Sequence, residues 1–492
     1  MLRIHLPCQQ QEPDCAPGSS LTRLPLLPSA RAPWPEMPTA IPTATGLATG
    51  PGSRVTRYAK STAASVTPVR PGKTHELSAL DNAMGRHAVH LVLYCRAAPG
   101  VDRDPLKESL SEALSLYPAM VGRLTRPEGE GGAAAGSGWI VKCNDAGVRT
   151  VDARASVTLD DWLATASADD EMDLAYFEPM GPEPYIWSPF YVQLTEFADK
   201  SYALGLSCTH SHNDPTAAAL FFHGWAAAHR RSTSPFPPFL HSPSFAVSPA
   251  TSTPPAPPLL AAKSAAAPPS ADAAVTMSSA TFHFPADAMR ALVSSLKPET
   301  TPFAALAALF WLRIAGAEEE RELTLALDFR KKMHAPLPTG YYGSSVHFTR
   351  ARADLASGLA AVAAALDRRV AGVPEEDLWA AVEWLHARQA EGGEPFQMYG
   401  PEFTCMALDH VPMYGAEFVA GVRPARVACR IGGAVGEGIV IVLPAAEGDA
   451  ARDVVVTLPA EATARICRDD EVLRYGAEVM AGPKVATGAK AQ

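Results

Sequence analysis

The sequence predicts an α/β fold built from two patterned halves of similar size joined by a long, proline-rich crossover. Three observations carry this reading. The segment from Tyr202 to Arg230 reads as a buried strand, a tight turn and a helix. Between His229 and Val275 the composition shifts to Pro, Ser and Ala, a stretch expected to form neither helix nor central strand, because proline removes amide donors and fixes its own torsion. Beyond it, strand-like and helix-like patterns alternate again up to the end of the chain.

Taken in order, residues 1–54 are rich in Pro, Ala, Thr and Ser without hydrophobic periodicity and are expected to be disordered, with order beginning near Arg54. Their few acids and several arginines also suit a transit peptide, but the amphipathic pattern is lacking, and Met37 offers an equally good start. A helix is expected to open at Asp104-Pro105, with Leu106, Leu110, Ala113, Leu114 and Tyr117 on one stripe. Trp139 to Val141 and Phe190 to Phe197 read as strands, the latter pairing with the Tyr202 strand through the turn at Ala198 to Ser201. In the second half come a strand (Ala280 to Phe284) and helices at Ala286 to Leu296 and Pro302 to Ile314. A strand ending at Phe329 and helices at Asp354 to Val370 and Glu375 to Gln389 follow. Val427 to Ile431, Gly438 to Leu443 and Asp453 to Leu458 read as antiparallel strands before a final helix. The implied organisation is an extension (1–54), an N-terminal domain (55–230), a crossover linker (231–277), a C-terminal domain (278–480) and a disordered tail (481–492).

With 492 residues, 47% apolar and 19% charged, the chain can bury a large core or two. A net charge of -10 with no sustained basic run argues against a nucleic-acid partner. No apolar run reaches the length of a bilayer span, so membrane association is expected only peripherally or through a partner. The eight cysteines include no C-x-x-C pair, and several sit in apolar, strand-like patterns, as reduced core thiols of a cytosol-facing protein do. No metal, nucleotide or flavin cofactor is expected: there is no Gly-rich phosphate loop, and His210 with His212 lacks further ligands nearby in sequence.

Chemistry concentrates in the turn after the Tyr202 strand. Tyr202, Leu204, Leu206 and Cys208 alternate with Ala203, Gly205 and Ser207, the period of two expected of a strand. Asp214 followed by Pro215 is a helix start, an N-cap acceptor and then a proline where no amide is missed. His210 therefore leaves the end of a rigid strand, where a general base can be held in one orientation. Its spacing to Asp214 is H-x-x-x-D. With 14 histidines and Asp at about one position in twenty, roughly 0.7 such pairs arise by chance, so the spacing needs context. His283 and Asp287 form a second match, with His283 on the polar face of a strand between Phe282 and Phe284. The local pattern around His210 also fits a core histidine beside a capping aspartate.

Context comes from three stretches in order. LKESLSEALSLYPAMVGRL (Leu106 to Leu124), HSHND (His210 to Asp214) and LDFRKKMHAPLPTGYYGSSV (Leu327 to Val346) together resemble the plant BAHD acyl-CoA-dependent acyltransferases, from about Ser53 to Tyr475. The resemblance implies two domains of the chloramphenicol-acetyltransferase-like type with a channel between them. It implies His210 at the channel's midpoint, a ring nitrogen open to a ligand, taking a proton from an acceptor hydroxyl or amine that attacks an acyl-CoA thioester. Asp214 is then structural, paired with Arg330. Pro215 departs from the family's glycine, and the second family motif is eroded to Glu417, Phe418 and Gly421, a loop expected to be structural and distant from the channel. YGPEFTCMALDHVPMYGAEF, VACRIGGAVGEGIVIVLP and LSALDNAMGRHAVHLVLYC resemble the eceriferum/glossy branch of the family. That branch implies very-long-chain acyl-CoA elongation for cuticular wax, with a 3-ketoacyl-CoA synthase as partner at the cytosolic face of the endoplasmic reticulum. The chain itself is expected to be a monomer with acyl-CoA as substrate. Two alternatives stand beside it: an ordinary cytosolic O- or N-acyltransferase of specialised metabolism, and a non-catalytic accessory subunit of an elongase with His210 vestigial.

Overall fold

A strand apolar on both faces must lie inside a sheet that is covered on both sides, and Tyr202–Thr209, with all eight residues buried, does. The computed structural model describes residues 47, 49–50, 52–126, 128–129, 132–133, 138–181, 185–241, 254–266, 275–315, 320–448 and 450–483. Most of the expected disordered extension and tail therefore lies outside the described residues.

The Tyr202–Thr209 strand sits in a six-stranded sheet in the order Val55–Ala63, Val148–Ala155, Phe190–Glu196, Tyr202–Thr209, Ala88–Cys95, Arg426–Gly432. Neighbours are antiparallel except Val148–Ala155 with Phe190–Glu196. Its backbone is approached so closely that a β-carbon at Gly205 would lie 2.0 Å from the Leu174 carbonyl oxygen. Gly205→Ala is accordingly expected to lower stability by about 1–3 kcal/mol, the usual cost of forcing atoms into a filled interior, read from the midpoint of chemical denaturation.

The second half forms a seven-stranded sheet in the order Val346–Asp354, Glu320–Asp328, Thr404–Ala407, Ile439–Pro444, Arg452–Pro459, Met277–Phe284, Glu478–Ala481. Helices Pro302–Ala315 and Leu359–Ala371 pack against each other beside it. Both sheets belong to one compact unit. The fold is α/β and of the chloramphenicol-acetyltransferase-like type.

Three sequence expectations change. Arg426–Gly432 does not pair with Ile439–Pro444; it joins the first-half sheet against Ala88–Cys95. Gly433, Gly436 and Gly438, at φ +78°, +69° and +93°, turn the chain from one sheet back to the other, a conformation that glycine adopts without the Cβ clash. The crossover is not wholly irregular, since Pro258–Ala265 is a helix burying Leu259, Leu260 and Lys263. Its prolines stand at the N-cap and first turn, where no amide bond is lost, and helix-forming Leu, Ala and Lys follow. Finally, the helix expected from Asp104 starts at Arg103 with Asp102 as N-cap, which places Pro105 within the first turn.

Candidate active site

The register of two strands places His210. Thr209 pairs with Ala88, and one step further the His210 amide donates to the His87 carbonyl at 2.9 Å. Helix Pro215–His229 then begins, with Asp214 as N-cap accepting from the Ala217 amide at 2.8 Å and proline at its first position. His210 is thereby fixed by a strand on one side and a capped helix on the other. Its side chain is fully buried. Burial pushes its pKa down to about 4, with the Asp214 charge pulling the other way, so the imidazole is neutral at pH 7.

The open ring nitrogen expected from the sequence is corrected. His210 Nε2 lies 3.0 Å from the Tyr399 hydroxyl, and Nδ1 has no partner from another residue. Tyr399 is itself buried, and burial raises its pKa well above the ordinary phenol value, so the phenol stays protonated, its one proton facing both His210 Nε2 and, at 3.9 Å, Met406 Sδ. The physical reason is a return of the chain: residues 397–402, 189 positions beyond His210 at Tyr399, fold back over the turn.

His87 holds that return in place. Its Nε2 accepts from the amides of Met398 at 3.1 Å and Tyr399 at 3.4 Å. A nitrogen that accepts amide protons carries none, so the proton is on Nδ1, which donates to the Gly432 carbonyl at 3.3 Å. Burial lowers the pKa of His87 to about 3, in keeping with a neutral ring.

Asp214 and Arg330 meet in a two-pronged ion pair, Arg330 donating from both terminal nitrogens at 2.8 and 2.9 Å. Asp214 also accepts from the Ser345 amide at 3.0 Å. Arg330 reaches Asp328 at 3.2 Å, Ser345 Oγ at 2.6 Å, and the carbonyls of Tyr341 and Gly343 at 3.2 and 2.9 Å. Burial opposes its charge, yet Asp214 and Asp328 raise its pKa above the usual arginine value. Burial likewise disfavours an ionised Asp328, but the guanidinium holds its carboxyl well below the usual carboxylate range. One arginine thus ties the cap of the His210 turn to the loop after Glu320–Asp328.

The eroded motif lies elsewhere. Phe418 packs edge-on against Trp225 with ring centroids 5.2 Å apart, and Glu417 accepts from the Gly421 amide at 2.8 Å. Trp225 is eleven residues past Asp214, about 16 Å along the helix axis, so this loop braces the far end of the helix. In the second H-x-x-x-D match, His283 binds Asp453 at 2.7 Å and Glu447 at 3.1 Å, while Asp287 pairs with Arg290 on the surface. That pair does not act together.

Sequence reasoning missed Tyr399, His87 and Asp328 as parts of the site. Asp328 had a local signal, two positions before Arg330 at a strand end. Tyr399 and His87 fall within the stretches that resemble the eceriferum/glossy branch, but nothing local ties either to His210; only the return of the chain brings them there.

Residues 55–473 match the model of the Transferase family. The chain is 27% identical over 416 residues to Protein ECERIFERUM 26-like of Arabidopsis thaliana, covering 82% of this chain and 91% of that one. It is 26% identical over 432 residues to Hydroxycinnamoyltransferase of Narcissus pseudonarcissus, covering 80% and 95%. Among solved structures, vinorine synthase superposes with a TM-score of 0.64 at 17% identity, over 84% of this chain and 96% of that one. The F. sporotrichioides TRI101 protein complexed with coenzyme A and T-2 gives 0.62 at 16% identity, over 83% and 100%. A strand-end histidine before a capped helix, an arginine clamp on the capping aspartate and a family match over most of the chain converge: this protein belongs to the Transferase family of BAHD acyl-CoA-dependent acyltransferases.

Proposed function

We propose that the chain acts on very-long-chain acyl-CoA in the fatty acid elongation that supplies cuticular wax, with His210 as general base. The observation that carries the proposal is the neutral imidazole fixed at a strand end, within a chain similar to Protein ECERIFERUM 26-like along most of its length. His210 Nε2 takes the proton of an acceptor hydroxyl or amine, whose heteroatom attacks the thioester carbonyl. The tetrahedral intermediate collapses, the carbon–sulfur bond breaks, and the proton passes from the imidazolium to the departing thiolate. Asp214 and Arg330 hold the turn and touch no reacting atom. A channel between the two halves, as the resemblance implies, would have to open to bring acyl-CoA to the enclosed histidine.

Work at the cytosolic face of the endoplasmic reticulum, docked on a condensing enzyme of the 3-ketoacyl-CoA synthase type, fits this substrate. No helix among the described residues is long and apolar enough to cross a membrane. Very-long-chain acyl groups partition into bilayers because each methylene contributes roughly 0.8 kcal/mol, and docking beside the enzyme that makes them raises their local concentration. Similarity to a Narcissus hydroxycinnamoyltransferase favours a second reading, acyl transfer to a small alcohol or amine in the cytosol. The hydrogen bond that covers His210 Nε2 favours a third, a non-catalytic elongase subunit.

The test is reconstitution of a condensing enzyme with this protein, wild type and His210→Ala, followed by acyl-chain profiling. Loss of the general base is expected to slow the acyl-transfer step by about 10²–10⁴-fold and to lower chain extension with it. Equal extension by both forms refutes general-base catalysis and leaves the accessory reading. Absence of extension by either form, with acyl transfer from hydroxycinnamoyl-CoA to a small alcohol or amine, selects the second.

A further inference from the structure

His210, Tyr399, His87 and Lys263 come from four separate parts of the chain and form a connected series ending on the proposed base. Tyr399 Oη is 3.0 Å from His210 Nε2. An acceptor alcohol poised for deprotonation would offer the same group, a neutral O–H, to the same nitrogen at the same distance. Both rings are buried and lie 5.8 Å apart between centroids. In either tautomer Nε2 is engaged by the protein's own hydroxyl, so water and small acceptors do not find it free.

The segment that carries Tyr399 is held from every side. His87 accepts its amide and that of Met398. Val435 N–H at 3.3 Å and the Gln397 side-chain amide at 3.2 Å both donate to the Tyr399 carbonyl. Phe348 packs edge-on against the ring at 5.2 Å. The next residue, Gly400, is held from the crossover: Lys263, 2% exposed, donates to the Gly400 carbonyl at 2.8 Å and pairs with Glu402 at 2.6 Å. Glu402 is anchored in turn by Thr324 Oγ1 at 2.9 Å. Burying a lysine in a helix otherwise made of Pro, Ala, Leu and one Ser is costly unless it is paired, and among the described residues its polar contacts fall on Gly400 and Glu402. The crossover helix is thus a clasp on the strap that bears Tyr399.

We propose that Tyr399 is the acceptor gate of this protein: its phenol stands in the acceptor's place on His210, the Pro258–Ala265 helix latches it there through Lys263, and only a ligand that moves residues 397–402 gains access to the base. This rests on the reading of His210 as general base and adds what decides which acceptor it serves. The gate excludes water, so acyl-CoA is not hydrolysed while no acceptor is bound. It also makes the crossover, which spans from one sheet to the other, the element through which a bound partner or acyl chain can release the site.

Tyr399→Leu withdraws the ring from His210 while keeping aliphatic bulk near the backbone, and Tyr399→Phe keeps the ring and removes only the hydroxyl. Hydrolysis of palmitoyl-CoA, followed by release of the free coenzyme A thiol, is expected to rise at least about tenfold in Tyr399→Leu over wild type, the order of gain from engaging a positioned base. The gain is expected to disappear in Tyr399→Leu/His210→Gln, and Tyr399→Phe is expected to give a smaller rise. A second readout is independent of turnover. Carbethoxylation of His210 by diethyl pyrocarbonate, read by peptide mass, is expected to be slow in wild type and fast in Tyr399→Leu and in Lys263→Met. Equal labelling of His210 in wild type and variants, or hydrolysis that Tyr399→Leu leaves unchanged or lowers, overturns the gate. If His210→Gln abolishes transfer while Tyr399→Leu changes neither readout, the gate fails and the general base stands. If the hydrolysis gained in Tyr399→Leu survives His210→Gln, the general base fails, and the gate with it.

Discussion

Arg330→Met is expected to destabilise the fold by about 3–5 kcal/mol, the range seen when one partner of a buried ion pair is removed. Two carboxylates, Asp214 and Asp328, share this one guanidinium, and all three groups are buried or nearly so. Without it, two like charges face each other across a dry interior, along with Ser345 Oγ and the carbonyls of Tyr341 and Gly343, which lose their donor. Protonation of a carboxylate relieves this repulsion, so the variant's deficit relative to wild type is expected to shrink as pH falls toward 4. Asp214→Asn is expected to cost less, because Arg330 keeps Asp328 at 3.2 Å and the asparagine oxygen still caps the helix. Urea denaturation of the two variants at pH 7 and pH 5 checks both statements. A cost for Arg330→Met below about 1 kcal/mol, the range of exposed pairs, would mean that water reaches the cluster. Transfer activity is expected to fall as well, since the Asp214 cap holds the turn that carries His210.

Acid is expected to unfold the protein steeply, starting below pH 6.5. Six largely buried histidines are responsible: burial pushes the pKa of His87, His90 and His212 down to about 3, and of His75, His210 and His347 to about 4. Each is neutral in the fold and regains an ordinary pKa near 6.5 when the chain unfolds. Unfolding below pH 6.5 therefore takes up protons, and each histidine removes about 1.4 kcal/mol of stability per pH unit until its own folded pKa is reached. The stability they contribute is complete above pH 6.5 and lost as pH falls toward 4. Asp81 works the other way. Burial raises its pKa to about 6, so it takes up its proton earlier in the fold than in the unfolded chain and offsets about one histidine between pH 6 and 3.8. Five histidines remain uncompensated there. Denaturation midpoints measured at half-unit steps from pH 7.5 to 4.5 check the slope; a flat profile above pH 5 would contradict the burial of these rings. Because His210 is one of the six, the proposed base stays unprotonated throughout the range in which the fold survives.

How much of this was legible in the sequence differs from one side chain to the next. The strand, turn and helix around His210 are written locally. Alternation from Tyr202 to Cys208 and an Asp-Pro helix start need only neighbouring residues, and the structure places Tyr202–Thr209 and Pro215–His229 where those signals put them. The crossover was legible only as an interruption. Proline counts suggest irregular chain, whereas the helix Pro258–Ala265 exists because Leu259, Leu260 and Lys263 find partners outside it.

The sequence by itself determined the family, the α/β class, and the residue type and local frame of the candidate base. Tertiary structure alone decided which sheet Arg426–Gly432 enters, because a strand's own pattern specifies that it is buried and not which edge it pairs with. It likewise decided the environment of His210. Tyr399 lies 189 positions away, and nothing in the composition of either segment encodes a contact between them. A hydrogen bond of 3.0 Å depends on where two chain segments finally pack. That packing follows from burial summed over both sheets, a sum that no local stretch of residues contains.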